Sequence, residues 1–235
     1  MTKISAAVSD IDALFARIMI LLERTMRQPA ASQDEVHDSS SQPAAVATAK
    51  PVEQRQACLG VYVFGARETT APAGYGTAGG LVNMAQCGGI DYDSSANQGT
   101  AAVISAVNDL NSRYPETSIV LIGYSQGGQM IDNALCGGTG QTLSGTALAA
   151  VKAAIFMGDP HNVAGLPYNV GTCTAGGFAA RPSGFQCSPA DPTIIKSYCD
   201  AADPYCCNGN DANTHQGYVT KYGSQALAFI QSKLG

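Results

Sequence analysis

Ser118-Ile119-Val120-Leu121-Ile122-Gly123-Tyr124-Ser125-Gln126-Gly127 runs from an apolar segment into a serine flanked by glycines. The apolar run lacks polar alternation, as in a strand buried on both faces. Met130, Ile131, Ala134 and Leu135 then fall at helical spacing within Gly128 to Cys136, so a helix follows the turn. A strand that ends in G-x-S-x-G and continues into a helix lifts a serine hydroxyl out of the sheet as a nucleophile. Glycine is expected at 123 and 127 because a side chain there would collide with the neighbouring backbone. The free N–H groups of the new helix would point to where negative charge develops during ester cleavage. The plain alternative is a glycine-rich turn that happens to contain serine, in a chain with 26 glycines. The strand–turn–helix context favours the catalytic reading.

The chain has 235 residues, 45% hydrophobic and 13% charged, which suits one globular domain with a sizeable core. A formal net charge of −5 argues against nucleic acid or an anionic membrane as partner, and no apolar run is long enough to span a bilayer. The eight cysteines, Cys58, Cys87, Cys136, Cys173, Cys187, Cys199, Cys206 and Cys207, crowd towards the C-terminal part. An even count there reads as a disulfide framework made in an oxidising compartment, hence a secreted protein. Zinc is the competing use of cysteine, but the chain has only three histidines, His37, His161 and His215, and no paired C-x-x-C knuckles. No N-x-[ST] sequon occurs, so N-linked glycosylation is not expected.

Residues 1–55 differ from the rest. Ile4 to Leu22 is partly apolar but interrupted by Asp10, Asp12 and Arg17, a poor match to a secretory signal. From Gln28 to Arg55, Ala, Ser, Gln and Pro dominate, as in a disordered pro-segment. The expected organisation is a leader and pro-segment over 1–55 and one α/β domain over 56–235, with Gln56 as the mature start. Leu59 to Phe64 reads as the first central strand. Gly74-Tyr75-Gly76-Thr77-Ala78-Gly79 spells G-x-G-x-x-G but follows Ala71-Pro72-Ala73 and no strand, so it reads as a loop. Ser94 and Ser95 offer an N-cap for a helix carrying Val103, Ile104, Val107 and Leu110, and Pro115 closes it. Val151 to Met157 and Thr193 to Tyr198 read as strands, and Tyr218 to Leu234 as a last helix. Alternating strands and helices imply a parallel sheet covered on both faces.

A serine nucleophile needs a general base, and that base a carboxylate to orient it. His37 falls in the leader, and His161 is explained as a loop residue satisfied by backbone groups. The chain order Ser, acid, His selects His215, in a polar loop before the last helix. Asp203 follows the last short strand and precedes His215 by 12 residues, room for a loop to fold the two together. Asp191, Asp200 and Asp211 are its rivals, with solvated turns as their plain role.

Four segments then make the chain resemble the cutinase and acetylxylan esterase family: Val63 to Thr70, Gly123 to Gly128, Ala154 to Pro160, and Ser197 to Asp200 continuing through His215 to Tyr218. The resemblance covers residues 57 to 235 and is closest to the fungal-type acetylxylan esterases. It implies an α/β three-layer sandwich with a central, mostly parallel five-stranded sheet, and a site open to solvent. Matched residue by residue, it implies Ser125, Asp203 and His215 as the triad, with an oxyanion hole from the Gln126 backbone N–H and Thr69. It implies disulfides Cys136–Cys187, Cys173–Cys207 and Cys199–Cys206. The loop between acid and base is polar and carries Tyr205, which suits a small acyl group and a hydroxyl-rich alcohol; Tyr205 is the expected stop of the acyl pocket. No metal or organic cofactor is implied. The expected partner is an acetylated plant polysaccharide, met by a secreted monomer.

Two departures from the family pattern stand out. Cys58 meets Tyr114 where relatives carry its partner, and Cys87 lacks its nearby mate. Between Met84 and Ala85 the chain omits residues that complete a helix and supply a core strand in relatives. A true deletion with a new Cys58–Cys87 bridge, two free thiols, and a misread gene all fit. The functional readings in competition are a short-chain carbohydrate esterase, a cutinase acting on longer aliphatic esters, and an inactive binding protein on the same scaffold.

Overall fold

The computed structural model describes residues 61–66, 92–138 and 140–235. Its strands are β1 (Val61–Ala66), β2 (Ser118–Tyr124), β3 (Val151–Met157), β4 (Asn169–Val170) and β5 (Ile195–Tyr198). Its helices are α1 (Tyr92–Arg113), α2 (Gln126–Cys136), α3 (Gly145–Ala150), α4 (Ala212–Gln216) and α5 (Tyr218–Leu234). The strands form one five-stranded sheet in the order β1-β2-β3-β5-β4, and every pairing in it is parallel. This is the expected α/β sandwich with five strands among the described residues. The leader, the mature start, Cys58, Cys87 and the break after Met84 lie outside the described residues.

β2 sits inside the sheet, and its alternate side chains build two cores. Ile119 and Leu121 join Phe64, Val103, Val107, Met130, Ile131, Leu135 and Phe156 on the face covered by α1, α2 and α3. Val120 and Ile122 join Ala153, Ile155, Tyr198, Tyr218, Ala226 and Ile230 on the face covered by α5. With helices on both faces, neither set of alternate positions can be polar, which is why the run reads as continuously apolar. β3 follows the same rule: only Lys152 is exposed, and its Nζ donates to the Ala149 carbonyl at 2.8 Å.

Three expectations need correction. Ser94 and Ser95 do not cap α1, which begins at Tyr92; Ser95 is buried inside it, its Oγ donating to Gln126 Oε1 at 3.3 Å. The stretch 193–198 is not strand throughout. Pro192–Ile194 form a 3₁₀ turn whose Thr193 N–H is held by the Asp191 carboxylate at 2.8 Å, and β5 starts only at Ile195. Proline fixes φ and the Asx cap favours a turn, so local chemistry beats the β-branched residues here. The polar loop assigned to His215 is instead α4, a single helical turn capped by Asp211.

Disulfides join Cys136 to Cys187, Cys173 to Cys207 and Cys199 to Cys206. The first closes a loop of 51 residues back onto the end of α2; in the chain-entropy account, constraints over loops of this size stabilise by roughly 4 kcal/mol. Cys199–Cys206 closes the segment after β5 into a compact turn, and Cys173–Cys207 ties that turn to the segment that follows β4.

A buried ionic cluster ties the long segment after β3 to α2. Arg181 donates from Nε to Asp132 Oδ2 at 2.7 Å and from Nη2 to Asn133 Oδ1 at 2.9 Å, and its guanidinium lies over the Phe185 ring at 4.7 Å. His161 Nδ1 lies 3.2 Å from the same Asp132 oxygen. Burial and the Asp132 charge push the neighbouring Asp159 carboxyl well above the usual range, although the His161 N–H and Arg181 oppose them. Removing one partner of a buried ion pair strands the other charge and costs about 3–5 kcal/mol. Arg181→Met is therefore expected to lower the melting temperature by on the order of 10 °C, read by thermal denaturation. A fall of less than about 2 °C would mean that Asp132 is satisfied without the guanidinium.

Candidate active site

Ser125 lies between β2 and α2 with φ 53° and ψ −124°, the only non-glycine residue of positive φ among those described. Such a conformation costs free energy and persists only where the surroundings over-determine it. Here the Ser125 N–H donates to the Met157 carbonyl of β3 at 2.8 Å, while its own carbonyl accepts from Gly128 N–H at 2.9 Å. Gly123 is required by close approach: a Cβ there would come within 2.4 Å of the Gly127 carbonyl oxygen.

The Ser125 Oγ faces His215 Nε2 at 2.9 Å, and His215 Nδ1 faces Asp203 Oδ2 at 2.7 Å. An ionised carboxylate only accepts, so Nδ1 carries the proton and Nε2 is left to accept the serine O–H. The three residues come from the ends of β2, the turn after β5, and α4. All lie beyond the C-terminal edge of the parallel sheet, where open α/β sheets collect their sites.

Asp203 is fully buried, and its acceptor capacity is filled. Oδ1 accepts from the backbone N–H groups of Tyr205 at 2.6 Å and Cys206 at 3.1 Å; Oδ2 accepts from His215 and from Tyr218 Oη at 2.8 Å. Burial pushes the carboxyl up, but the bonds and charge of His215, the Tyr205 N–H and the Tyr218 hydroxyl outweigh it and hold it below the usual range. The Cys199–Cys206 bridge, seven residues long, closes the turn that presents this carboxylate.

The rival aspartates have other roles. Asp191 caps the 3₁₀ turn and Asp211 caps α4. Asp200 pairs with Lys221 Nζ at 2.7 Å and accepts from Thr172 and Tyr222. His161 lies in the turn after β3, as expected, but its ring meets the Asp132 carboxylate instead of backbone groups.

Two supporting residues escaped sequence reasoning. Tyr218 begins α5 and donates to Asp203 while accepting from the Asp200 N–H at 2.9 Å; burial raises its own pKa, so it remains a donor. Tyr124, the second residue of the G-x-S-x-G, donates to the His215 carbonyl and lies edge-on to the His215 ring at 5.8 Å. The only early signal was their place in the motifs, since their partners lie 15 and 91 residues away.

Gln126 is the first residue of α2, so helix geometry gives its N–H no partner four residues back. Its side chain is tied down, Nε2 donating to the Tyr92 carbonyl at 3.0 Å. Thr69 lies outside the described residues. Tyr205 is half-exposed, with its ring 4.4 Å from that of His215. The sulfurs of Cys173, Cys199 and Cys207 lie within 4.8 Å of one another, but all three are committed to disulfides. No described helix is long and apolar enough to cross a membrane.

A serine, an imidazole and a buried carboxylate in this relation can transfer an acyl group through a covalent intermediate. Comparison with known proteins agrees with that chemistry. The family model described as cutinase matches residues 57–234. Acetylxylan esterase 2 of Talaromyces purpureogenus is 53% identical over 222 residues, covering 80% of this chain and 94% of that protein. An alignment of that length over 80% of a 235-residue chain includes positions without a counterpart here, so the relative carries residues that this chain lacks. Cutinase 11 of Verticillium dahliae is 52% identical over 221 residues, covering 81% of this chain and 74% of that protein. A solved acetylxylan esterase structure matches with TM-score 0.71 and 53% identity, over 76% of this chain and 100% of its own.

Proposed function

As a member of the cutinase family, the chain is a serine carboxylic-ester hydrolase, and we propose that it removes acetyl groups from xylan-type polysaccharide. The observation that carries the catalytic assignment is the continuous hydrogen-bonded line from Ser125 through His215 to the buried Asp203. In this reading Ser125 Oγ attacks the acetyl carbonyl carbon as its proton passes to His215 Nε2. The oxyanion is held by the Gln126 N–H and by Thr69. Loss of one such donor costs about 10²–10³ in rate. The tetrahedral intermediate collapses with transfer of the His215 proton to the departing sugar oxygen, leaving an acetyl-enzyme. A water molecule, deprotonated by the same nitrogen, releases acetate and restores Ser125. No step calls for a metal or an organic cofactor.

In this reading Tyr205, whose ring lies 4.4 Å from that of His215, is the stop of the acyl pocket and sets the preference for a short acyl chain. Three disulfides support an extracellular site of action, and a monomer needs nothing from a second copy to complete the triad. Nitrophenyl esters of rising chain length test the proposal. The rate is expected to be highest on acetate and to fall sharply beyond butyrate. Tyr205→Ala is expected to raise the longer-ester rate relative to acetate by about tenfold or more. A profile that is flat or rises with chain length in the wild type would assign the enzyme to longer aliphatic esters instead.

A further inference from the structure

Among the described residues, two large hydrophobic side chains are left to solvent: Phe178, 58% exposed, and Tyr205, 41% exposed. Single exposed apolar residues are ordinary, but these two are joined. The Phe178 N–H donates to the Tyr205 carbonyl at 3.0 Å, and the Tyr205 ring lies against His215. Behind Phe178 stands Tyr92, edge-on with ring centroids 5.3 Å apart. Tyr92 is itself fixed, its Oη donating to Gln129 Oε1 at 2.7 Å and its carbonyl accepting from Gln126 Nε2. Phe178 thus reaches both sides of the reacting centre: through Tyr92 to Gln126, next to Ser125 in the chain, and directly to Tyr205, whose ring lies against His215.

The segment that carries Phe178 is held rigidly. Gly177 N–H donates to the Asn162 carbonyl at 3.0 Å, Ala179 N–H to Pro160 at 3.3 Å and Arg181 N–H to His161 at 3.1 Å. At Gly177 a Cβ would come within 2.2 Å of the Pro160 oxygen and 2.8 Å of the Tyr205 oxygen. Arg181 then anchors the segment to Asp132. A phenyl ring kept in water by so fixed a backbone has lost the freedom to fold away, and among the described residues the one ring packed on it is that of Tyr92. Pre-organisation of this kind favours a ligand with a flat apolar face, because binding then orders little in the protein.

We propose that Phe178 is a stacking platform for a pyranose ring of the alcohol portion of the substrate, beside the acetylated sugar at Ser125. This rests on the polysaccharide reading above. A pyranose presents a face of C–H groups that packs on an aromatic ring and needs no buried polar partner, while its hydroxyls stay in water. The platform adds to ground-state and transition-state binding alike, so it acts on KM and not on the chemical step.

The test compares wild type, Phe178→Ala and Phe178→Trp on an acetylated xylo-oligosaccharide and on nitrophenyl acetate, and measures calorimetric binding of the unacetylated xylo-oligosaccharide. Phe178→Ala is expected to lower kcat/KM on the oligosaccharide, relative to nitrophenyl acetate, by about tenfold, mostly through KM. It should weaken xylo-oligosaccharide binding in proportion, and Phe178→Trp should restore both. An equal loss on both substrates would mean that the residue merely supports the loop and would overturn the proposal. So would an unchanged ratio, or a wild type that binds no xylo-oligosaccharide. Failure of the esterase reading itself would show separately, as a wild-type acyl profile that does not favour acetate.

Discussion

Replacing Ser125 by alanine is expected to lower kcat for deacetylation by on the order of 10⁶-fold, the scale seen when the serine of a Ser–His–Asp triad is removed. Only its Oγ is within hydrogen-bond reach of His215 Nε2 among the described residues. Without it the imidazole has no nucleophile to activate but water. The same substitution should leave the fold intact. The unusual φ of 53° is imposed by the bond from Ser125 N–H to Met157 and by the start of α2, and alanine makes the same backbone bonds. A melting temperature within a few degrees of wild type, together with loss of turnover, separates a missing nucleophile from a broken elbow. Residual turnover near the wild-type rate would remove Ser125 from the mechanism.

Asp203→Asn is expected to cost about 10⁴-fold in kcat through the tautomer of His215. The asparagine oxygen would stay with the two backbone donors, Tyr205 N–H and Cys206 N–H, which leaves the amide nitrogen facing His215. An amide N–H donating to Nδ1 forces the ring proton onto Nε2, where it can no longer accept from Ser125. The Tyr218 hydroxyl loses its acceptor in the same step, so stability falls as well. The pH dependence gives the sign. Asp203 is held below its unfolded value of about 4, so its contribution to stability is complete above that value and is lost as pH falls through the lower folded value. The difference in melting temperature between wild type and Asp203→Asn should therefore be full near neutrality and shrink below about pH 4. A difference that grows on acidification would contradict this account of Asp203.

Much of this architecture was legible where local pattern and burial agree. β3 and α5 have the expected bounds, Val151–Met157 and Tyr218–Leu234, because each is a long apolar pattern with one period throughout. The strand before Ser125 was legible for the same reason. What the sequence hid is held by long-range bonds or decided by turn chemistry. β4 is two residues long and exists only by pairing with β5, so Asn169-Val170 carries no pattern of its own. Ser95 looks like a cap but serves as a side-chain partner for Gln126, 31 residues on. His161 reads as an ordinary loop residue because its ring partner, Asp132, lies 29 positions away, and Arg181, which shares that carboxylate, lies 49 positions from Asp132. The catalytic candidates were legible from chemistry and chain order; Tyr124 and Tyr218, which position His215 and Asp203, were not, since a buried tyrosine has the same sequence signature in any core.

The most direct test of the account is reaction of the protein with a serine-directed organophosphate, followed by peptide mapping and residual-activity measurement on nitrophenyl acetate. A nucleophile activated by His215 should take up a single phosphoryl group per chain on the peptide containing Ser125, with activity lost in step and no uptake by Ser125→Ala. Labelling on another residue, or full activity after Ser125 is labelled, would contradict the assignment of this elbow as the catalytic centre.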